Sequence, residues 1–215
     1  MRSLGPIAAI ALATAPGLAT ADRGALTLEL APSLAWWPSM APITGSGSGV
    51  SGTSGGGLVG LRYGLRHDLD LTASGFYEAP VDFANTGTTV GTEAGPLTGT
   101  LTARASRWGV LLGARWVHGL ALRWFLGGEV GVSQQTFARV GLVYPADPGT
   151  GTMFELKFPD KTRTALVLSP LAGVEWQLPG RWSVAFAPRV QVMVGGGGRV
   201  GVVLPVSVGY SWYGF

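Results

Sequence analysis

Residues 199–215 read RVGVVLPVSVGYSWYGF, and a large apolar side chain occupies every second position from Val200 to Trp212. The positions between them include small residues such as Gly201 and Ser207, and Arg199 comes directly before Val200. A period of two residues is that of a β-strand, whose successive side chains point to opposite faces. The stretch therefore predicts a strand with one large apolar face and one face of small residues.

The same alternation recurs along the rest of the chain and predicts eight strands in all. They cover residues 26–36, 59–66, 69–77, 107–116, 122–133, 166–176, 182–194 and 199–212. The connections after strands two, four and six are short, whereas those after strands one, three and five cover 38–57, 79–100 and 134–163. Short turns at one end and long loops at the other are typical of an antiparallel barrel with an even number of strands.

The face of small residues indicates which side of the sheet points inward. A soluble barrel covers its exterior with Lys, Glu and Asp, but only 13% of this chain is charged and 47% is hydrophobic. Gly, Ala, Ser and Thr suit the interior of an eight-stranded barrel, which is just wide enough for side chains to fill. The pattern therefore predicts an all-β fold, an eight-stranded antiparallel transmembrane β-barrel over residues 22–215, with its large apolar side chains facing lipid. Strand one must pair with strand eight, because an open edge in hydrocarbon leaves backbone groups unsatisfied.

Tryptophan and tyrosine residues gather near the ends of the predicted strands. Those near the short turns are Tyr63, Trp116, Trp124, Trp176, Trp182, Trp212 and Tyr213, and those near the long loops are Trp36, Trp37 and Tyr77. Amphipathic aromatic rings prefer the boundary between lipid and water. We expect these residues to form interfacial aromatic girdles at the two ends of the barrel.

The first 21 residues have the features of a secretory signal peptide. Arg2 supplies a positive charge, an apolar stretch follows, and Ala19-Thr20-Ala21 provides a small-x-small cleavage site. The mature chain is then expected to begin at Asp22. With no cysteine in the sequence, disulfide bonds are excluded even for an exported protein.

Charged residues on the small-residue face are placed where they can form pairs across the lumen. The expected pairs are Glu29 with Arg62, Arg66 with Asp70, Arg123 with Glu175, and Glu129 with Arg189. An unpaired charge in such an interior is costly, so pairing is expected. The network either fills the barrel as a structural element or lines a gated polar pathway. The narrow interior of eight strands favours the structural interpretation.

Residue types suited to catalysis, metal binding or nucleic-acid binding are sparse. The two histidines, His67 and His118, lie in predicted short turns, so the long loops have no histidine to act as a catalytic base. The chain also has no cysteine, and its histidines do not have the spacing of metal ligands. A formal net charge of +3 is too small for a chain that coats nucleic acid. We therefore predict a non-enzymatic protein with no metal, no cofactor and no nucleic-acid partner.

The chain ends in Tyr213-Gly214-Phe215, and this terminal Phe215 resembles the signal that the assembly machinery of bacterial outer-membrane barrels recognises. The outward alternation shifts by one residue after Trp212, which departs from that pattern. Together with the signal peptide and the eight strands, the mature chain resembles the small OmpA/OmpX-type barrels over nearly its whole length.

The resemblance implies a location in the outer membrane, with both termini in the periplasm. The partners it implies are outer-membrane lipids, the assembly machinery and an unknown extracellular partner that meets the long loops. The expected role is structural or one of surface interaction. The alternatives are a narrow channel for small solutes and a lipid-modifying enzyme.

Overall fold

A computed structural model describes residues 23–40, 42–43, 49–93, 95–146, 151–195 and 199–213. The predicted signal peptide over residues 1–21 and the terminal Phe215 lie outside the described residues, and both remain predictions. In the described ranges, no helix is long and apolar enough to cross a membrane.

The described residues form ten β-strands whose neighbours all pair antiparallel. The strands are β1 (Leu26–Met40), β2 (Val50–Arg66), β3 (Leu69–Thr92), β4 (Gly95–Gly119), β5 (Leu122–Pro145), β6 (Met153–Lys157), β7 (Lys161–Gln177), β8 (Trp182–Phe186), β9 (Arg189–Val194) and β10 (Arg199–Trp212). Strand β10 pairs with β1 and closes the sheet. Strands β8 and β9 share one position in the ring, and β6 continues beyond β7 against β5. The fold is an eight-stranded antiparallel barrel, which confirms the predicted fold class.

The seventh predicted strand, over residues 182–194, is two strands interrupted at Ala187 and Pro188. Proline has no N–H to donate to a neighbouring strand, so the ladder is interrupted there. The break does not shift the register, because β8 and β9 both continue the same alignment against β7 and β10. The carbonyl of Pro188 still accepts a hydrogen bond from the backbone N–H of Ala172 at 3.3 Å.

The strands are staggered as they pass around the barrel. The stagger is measured by moving from one residue to the residue directly opposite it on the next strand, once around the barrel. From Gly64 on β2 this sequence of partners is Asp70, Arg115, Gly127, Leu171, Arg189, Val203, Ala35 and Ser54. It ends on β2 again, ten residues before Gly64. A stagger of ten residues in eight strands tilts the strands by roughly 40° from the barrel axis. This tilt brings inward side chains from distant strands to the same height.

The predicted alternation of faces is present around the barrel. Large apolar side chains such as Leu34 and Leu112, each 64% exposed, cover the outer surface, and the smaller residues between them point inward. An apolar exterior of this extent belongs in hydrocarbon, since soluble monomers rarely expose such large patches.

The three predicted long loops are largely strands, which corrects the sequence-based interpretation. Strands β3 and β4 continue beyond Tyr77 and Trp108 to a turn at Glu93, and β5 continues to Pro145, where β6 joins it. These extensions, residues 79–92, 95–105, 138–145 and 153–157, are called the lobe below. Their apolar residues alternate but are separated by Thr and Gly, and this composition suggested loops.

The lobe encloses an apolar core at the long-strand end of the barrel. Met40, Val50, Leu101, Phe137 and Leu142 are almost completely buried there. Burying a side chain of this size contributes about 1.5–3 kcal/mol. The core therefore stabilises the lobe and closes this end of the lumen.

Candidate functional site

The half of the lumen near the short turns holds a cluster of five charged side chains, called the Glu175 cluster: Glu29, Arg62, Asp70, Arg115 and Glu175. Glu175 Oε2 accepts hydrogen bonds from Arg62 Nη1 and from Arg115 Nη2, both at 2.5 Å. Arg62 Nη1 also donates to Glu29 Oε1 at 2.8 Å, and Arg115 Nε donates to Asp70 Oδ2 at 3.1 Å. Three carboxylates thus surround two guanidinium groups from different strands.

The structure brings together two of the pairs that were expected from the sequence. Arg62 contacts Glu29, and Arg189 Nη1 lies 2.7 Å from Glu129 Oε2. The second pair spans the lumen between β5 and β9. Arg62, Arg189 and Glu129 are almost completely removed from solvent and Glu29 is partly so, and each partner relieves the desolvation cost of the other.

Asp70 has different partners from the one expected, and Arg66 does not join the cluster. Asp70 Oδ2 lies 3.1 Å from Arg115 Nε and 3.6 Å from Arg62 Nε, whereas Arg66 is exposed. The reason is a register shift between Gly64 and Arg66, which places Arg66 opposite Leu69 on the outward face. A bulge at this turn cannot be recognised from alternation alone.

Arg123 lies directly opposite Glu175 in the ladder between β5 and β7, as the predicted pair requires. Its side chain is buried, and its Nε donates to the carbonyl of Leu120 at 3.0 Å. Arg123 therefore borders the Glu175 cluster at the short-turn end.

Sequence reasoning missed Arg115, although its contacts are as close as those of Arg62. The alternation of strand four puts Arg115 on the small-residue face with Gly109 and Gly113, but alternation alone does not indicate a partner for it. The signal that could have found it is the pairing of strands three and four, because Asp70 on β3 is directly opposite Arg115 in the ladder.

A second cluster, also missed, lies nearer the lobe and is called the Arg107 cluster: Trp37, Glu78, Arg107 and Gln191. The buried Arg107 guanidinium lies 4.1 Å from the centre of the Trp37 ring and donates hydrogen bonds to Glu78 and Gln191. Trp37 Nε1 donates to Glu78 Oε2 at 3.1 Å. A desolvated cation stacked on an indole ring and paired with a carboxylate is strongly held. The cluster joins β1, β3, β4 and β9 across the lumen.

Trp37 is therefore not part of an interfacial girdle, which corrects its predicted position. It is only 1% exposed and points into the lumen, on the same face as Ala35. Its ring packs over Gly201, where an added Cβ would lie 2.4 Å from the ring. A residue with a side chain at position 201 would thus displace the tryptophan.

The other residues predicted for the girdles are on the outer surface, at the two ends of the barrel. They are Trp36, Tyr63, Tyr77, Trp116, Trp124, Trp176, Trp182, Trp212 and Tyr213. Several contact one another edge to face, including Trp116 with Trp124 at 5.1 Å between ring centres. Their role at the membrane boundary stays a prediction.

Between the two clusters the lumen contains a cavity of about 30 Å³ beside the Glu129–Arg189 pair. Thr72 and Ser74, whose hydroxyl groups have no hydrogen-bond partner among the described residues, line it. This volume is room for a few water molecules at most. The arrangement can hold water but is far too small for a solute. In the described ranges, no group of three or more His, Asp or Glu side chains is arranged to hold a metal ion.

Comparison with known proteins gives matches among solved structures. No protein-family model matches the chain, and no curated protein does. Neisserial surface protein A (NspA) aligns with a TM-score of 0.57 at 12% identity, covering 88% of this chain and 100% of that one. The outer membrane protein OprG from Pseudomonas aeruginosa aligns with a TM-score of 0.54 at 14% identity, covering 90% and 98%. The fold is that of a small outer-membrane β-barrel.

A third similar structure is Ail, the attachment invasion locus protein of Yersinia pestis, in complex with the heparin analogue sucrose octasulfate. Its TM-score is 0.52 at 10% identity, and the alignment covers 88% of this chain and 99% of that one. At these identities the similarity establishes the fold of the present chain.

Proposed function

We propose that this chain is a non-enzymatic protein of the bacterial outer membrane, with periplasmic termini and a structural or surface-interaction role carried by its lobe. The observation that carries this proposal is the filled lumen. The Glu175 cluster, the Glu129–Arg189 pair, the Arg107 cluster and the apolar core of the lobe follow one another along the barrel. A barrel filled in this way serves as an anchor, and the lobe is its most elaborated surface.

The tip of the lobe supports contact with a partner. Met153 is 56% exposed and Phe154 is 53% exposed, and both lie on β6, at the end of the lobe. The rings of Phe154 and Tyr144 are 6.1 Å apart, so they present one apolar area. Exposed apolar patches outside a membrane region commonly mark interaction sites.

The positions of the histidines support a non-enzymatic role. His67 and His118 are both exposed at the short-turn end, opposite the lobe. A histidine acting as general base must lie within hydrogen-bond reach of a nucleophile at the reacting site. Neither histidine can serve a reaction at the lobe.

The proposal is tested by whole bacteria that produce the wild-type chain or a Met153→Ser, Phe154→Ser double variant. Binding of the cells to immobilised glycans and extracellular-matrix proteins is measured against cells without the chain. A matched double variant, Leu120→Ser with Leu178→Ser, changes two exposed leucines at the opposite end. We expect wild-type cells to bind at least one surface, the lobe variant to lose that binding and the control to retain it. No binding by wild-type cells, or equal binding by the lobe variant, would overturn the proposal.

A further inference from the structure

An open recess lies on the outside of the barrel at its short-turn end, where the chain enters β1 and where β2 turns into β3. Its volume is about 500 Å³, and the residues that line it are Arg23, Leu65, Arg66, His67 and Asp68. All five side chains are exposed. The recess is therefore an accessible surface site with room for a phosphate group.

Two irregularities of the backbone place the two arginines at this recess. Gly24 has a φ of +77°, a conformation that favours glycine, and its N–H donates to the carbonyl of Gly64 at 2.8 Å. The N–H of Gly64 donates in turn to the carbonyl of Ala25 at 2.9 Å, so the segment that carries Arg23 is held against β2. The register shift after Gly64 turns Arg66 outward. Both arginines thus have positions that are set by the fold.

Neither of these arginines has an acidic partner. No side-chain carboxylate of the described residues lies within 4.0 Å of either guanidinium group. Asp68 lines the same recess, but its Oδ2 accepts a hydrogen bond from Trp116 Nε1 at 3.3 Å. In the lumen, by contrast, carboxylate partners are present for Arg62, Arg107, Arg115 and Arg189. The recess therefore offers guanidinium donors that are available to an external anion.

Exposed charges are distributed unequally between the two ends of the barrel. Among the described residues, the exposed charged side chains at the short-turn end are three arginines and one aspartate, namely Arg23, Arg66, Arg181 and Asp68. Those at the lobe end are four carboxylates and two cations, namely Asp82, Glu93, Glu155, Asp160, Arg139 and Lys157. A positively charged rim next to lipid attracts anionic headgroups.

The recess adjoins the outer apolar surface of the barrel. Leu65 is 43% exposed, and Tyr63, which precedes it on the same face of β2, is 39% exposed. Trp116, whose indole N–H donates to Asp68, is also on the outer surface. A lipid whose phosphate occupies the recess would therefore lay its acyl chains along Tyr63 and Leu65. Free phosphate in water would gain nothing from these apolar contacts, so a lipid fits the site better.

We propose that this recess binds the phosphate group of an anionic glycerophospholipid through Arg23 and Arg66. Guanidinium groups present paired N–H donors that match the oxygen atoms of phosphate. The exposed imidazole of His67 supplies a further N–H donor at the same place. The site goes beyond the surface role proposed above, because it assigns a lipid chemistry to the end of the barrel opposite the lobe.

The test measures which lipid the chain retains. The protein is purified in uncharged maltoside micelles from the membranes of producing cells and mixed with equal amounts of phosphatidylglycerol and phosphatidylcholine. Native mass spectrometry then counts the lipids that stay bound. We expect the wild type to retain phosphatidylglycerol preferentially, and Arg23→Gln and Arg66→Gln each to lower its retention about fivefold. Arg66→Lys, which keeps the charge, should recover part of the retention.

The matched control is Arg181→Gln, which removes one exposed positive charge from another turn at the same end. The Arg181 guanidinium lies 5.5 Å from the centre of the Tyr213 ring and does not line the recess. We expect this variant to retain phosphatidylglycerol as the wild type does. Heat-modifiable migration in gel electrophoresis verifies that each variant is folded before the measurement. No preference for phosphatidylglycerol by the wild type, or an equal loss in Arg181→Gln, would overturn the proposal.

Discussion

Glu175 and Arg62 lie 113 residues apart in the chain, and their side-chain atoms meet at 2.5 Å inside the barrel. Glu175 is completely buried and binds Arg115 equally closely. The contact joins β7 to β2 and β4 across the lumen. It follows from the tilt of the strands, which brings these three residues to one height.

Replacing Glu175 with Gln should strongly destabilise the barrel. The change leaves Arg62 and Arg115 with less carboxylate charge in a buried site, and breaking such a pair costs about 3–5 kcal/mol. The free energy of unfolding, measured by urea titration in lipid vesicles, checks this. Glu155→Gln, at an exposed position of β6, is the control and should change stability by less than about 0.5 kcal/mol. A loss no larger than that of the control would contradict the role given to Glu175.

Replacing Gly201 with Ala should disturb the Arg107 cluster. The added methyl group would lie 2.4 Å from the Trp37 ring, so the ring must shift from its position 4.1 Å from the Arg107 guanidinium. Overpacking of this kind typically costs about 1–3 kcal/mol. Tryptophan fluorescence and urea unfolding of the variant measure the shift and the cost.

The matched control for this substitution is Gly128→Ala. Gly128 also lies within a strand, but an added Cβ would meet nothing within 4 Å. If both variants unfold at the same urea concentration, the packing of Trp37 over Gly201 does not constrain the barrel.

The orientation of the barrel can be read by chemical labelling, since the chain has no cysteine of its own. Thr89 is exposed near the end of the lobe, and His67 is exposed at the short-turn end, so each can be replaced by a single cysteine. A maleimide that does not cross membranes should label Thr89→Cys on intact cells. It should label His67→Cys only after the outer membrane is permeabilised. The reverse pattern would show that the lobe faces the periplasm.

The closed ring could be predicted from the sequence because its signal is local and repeated. From Val200 to Trp212 the alternation is uninterrupted, and the same period recurs in strands that pair in chain order. The two-residue period also predicts the side of the sheet that Trp37 occupies, because Trp37 lies on the inward face with Ala35. Its assignment to a girdle relied instead on its position near the end of the predicted strand, and that position does not determine which way a side chain points.

The contacts of the lumen depend on stagger and bulges, which leave little trace in one sequence. Arg66 faces outward because of a single register shift next to Gly64. Glu78 could not be matched to Arg107 because it stood at the edge of a segment interpreted as a loop, where Thr and Gly separate the apolar residues. The pairing of Arg62 with Glu175 needs the height of each strand, and that height is set by the closed barrel as a whole.

The sealed lumen is the central claim, and single-channel recording of the full-length chain in planar bilayers tests it most directly. Ion pairs, the Arg107 cluster and the apolar core leave a cavity that holds a few water molecules at most. The predicted result is no conductance above that of the bare bilayer. Reproducible conductance steps from the wild-type chain, altered by Glu129→Ala or Arg189→Ala, would contradict the claim and establish a solute pathway through the barrel.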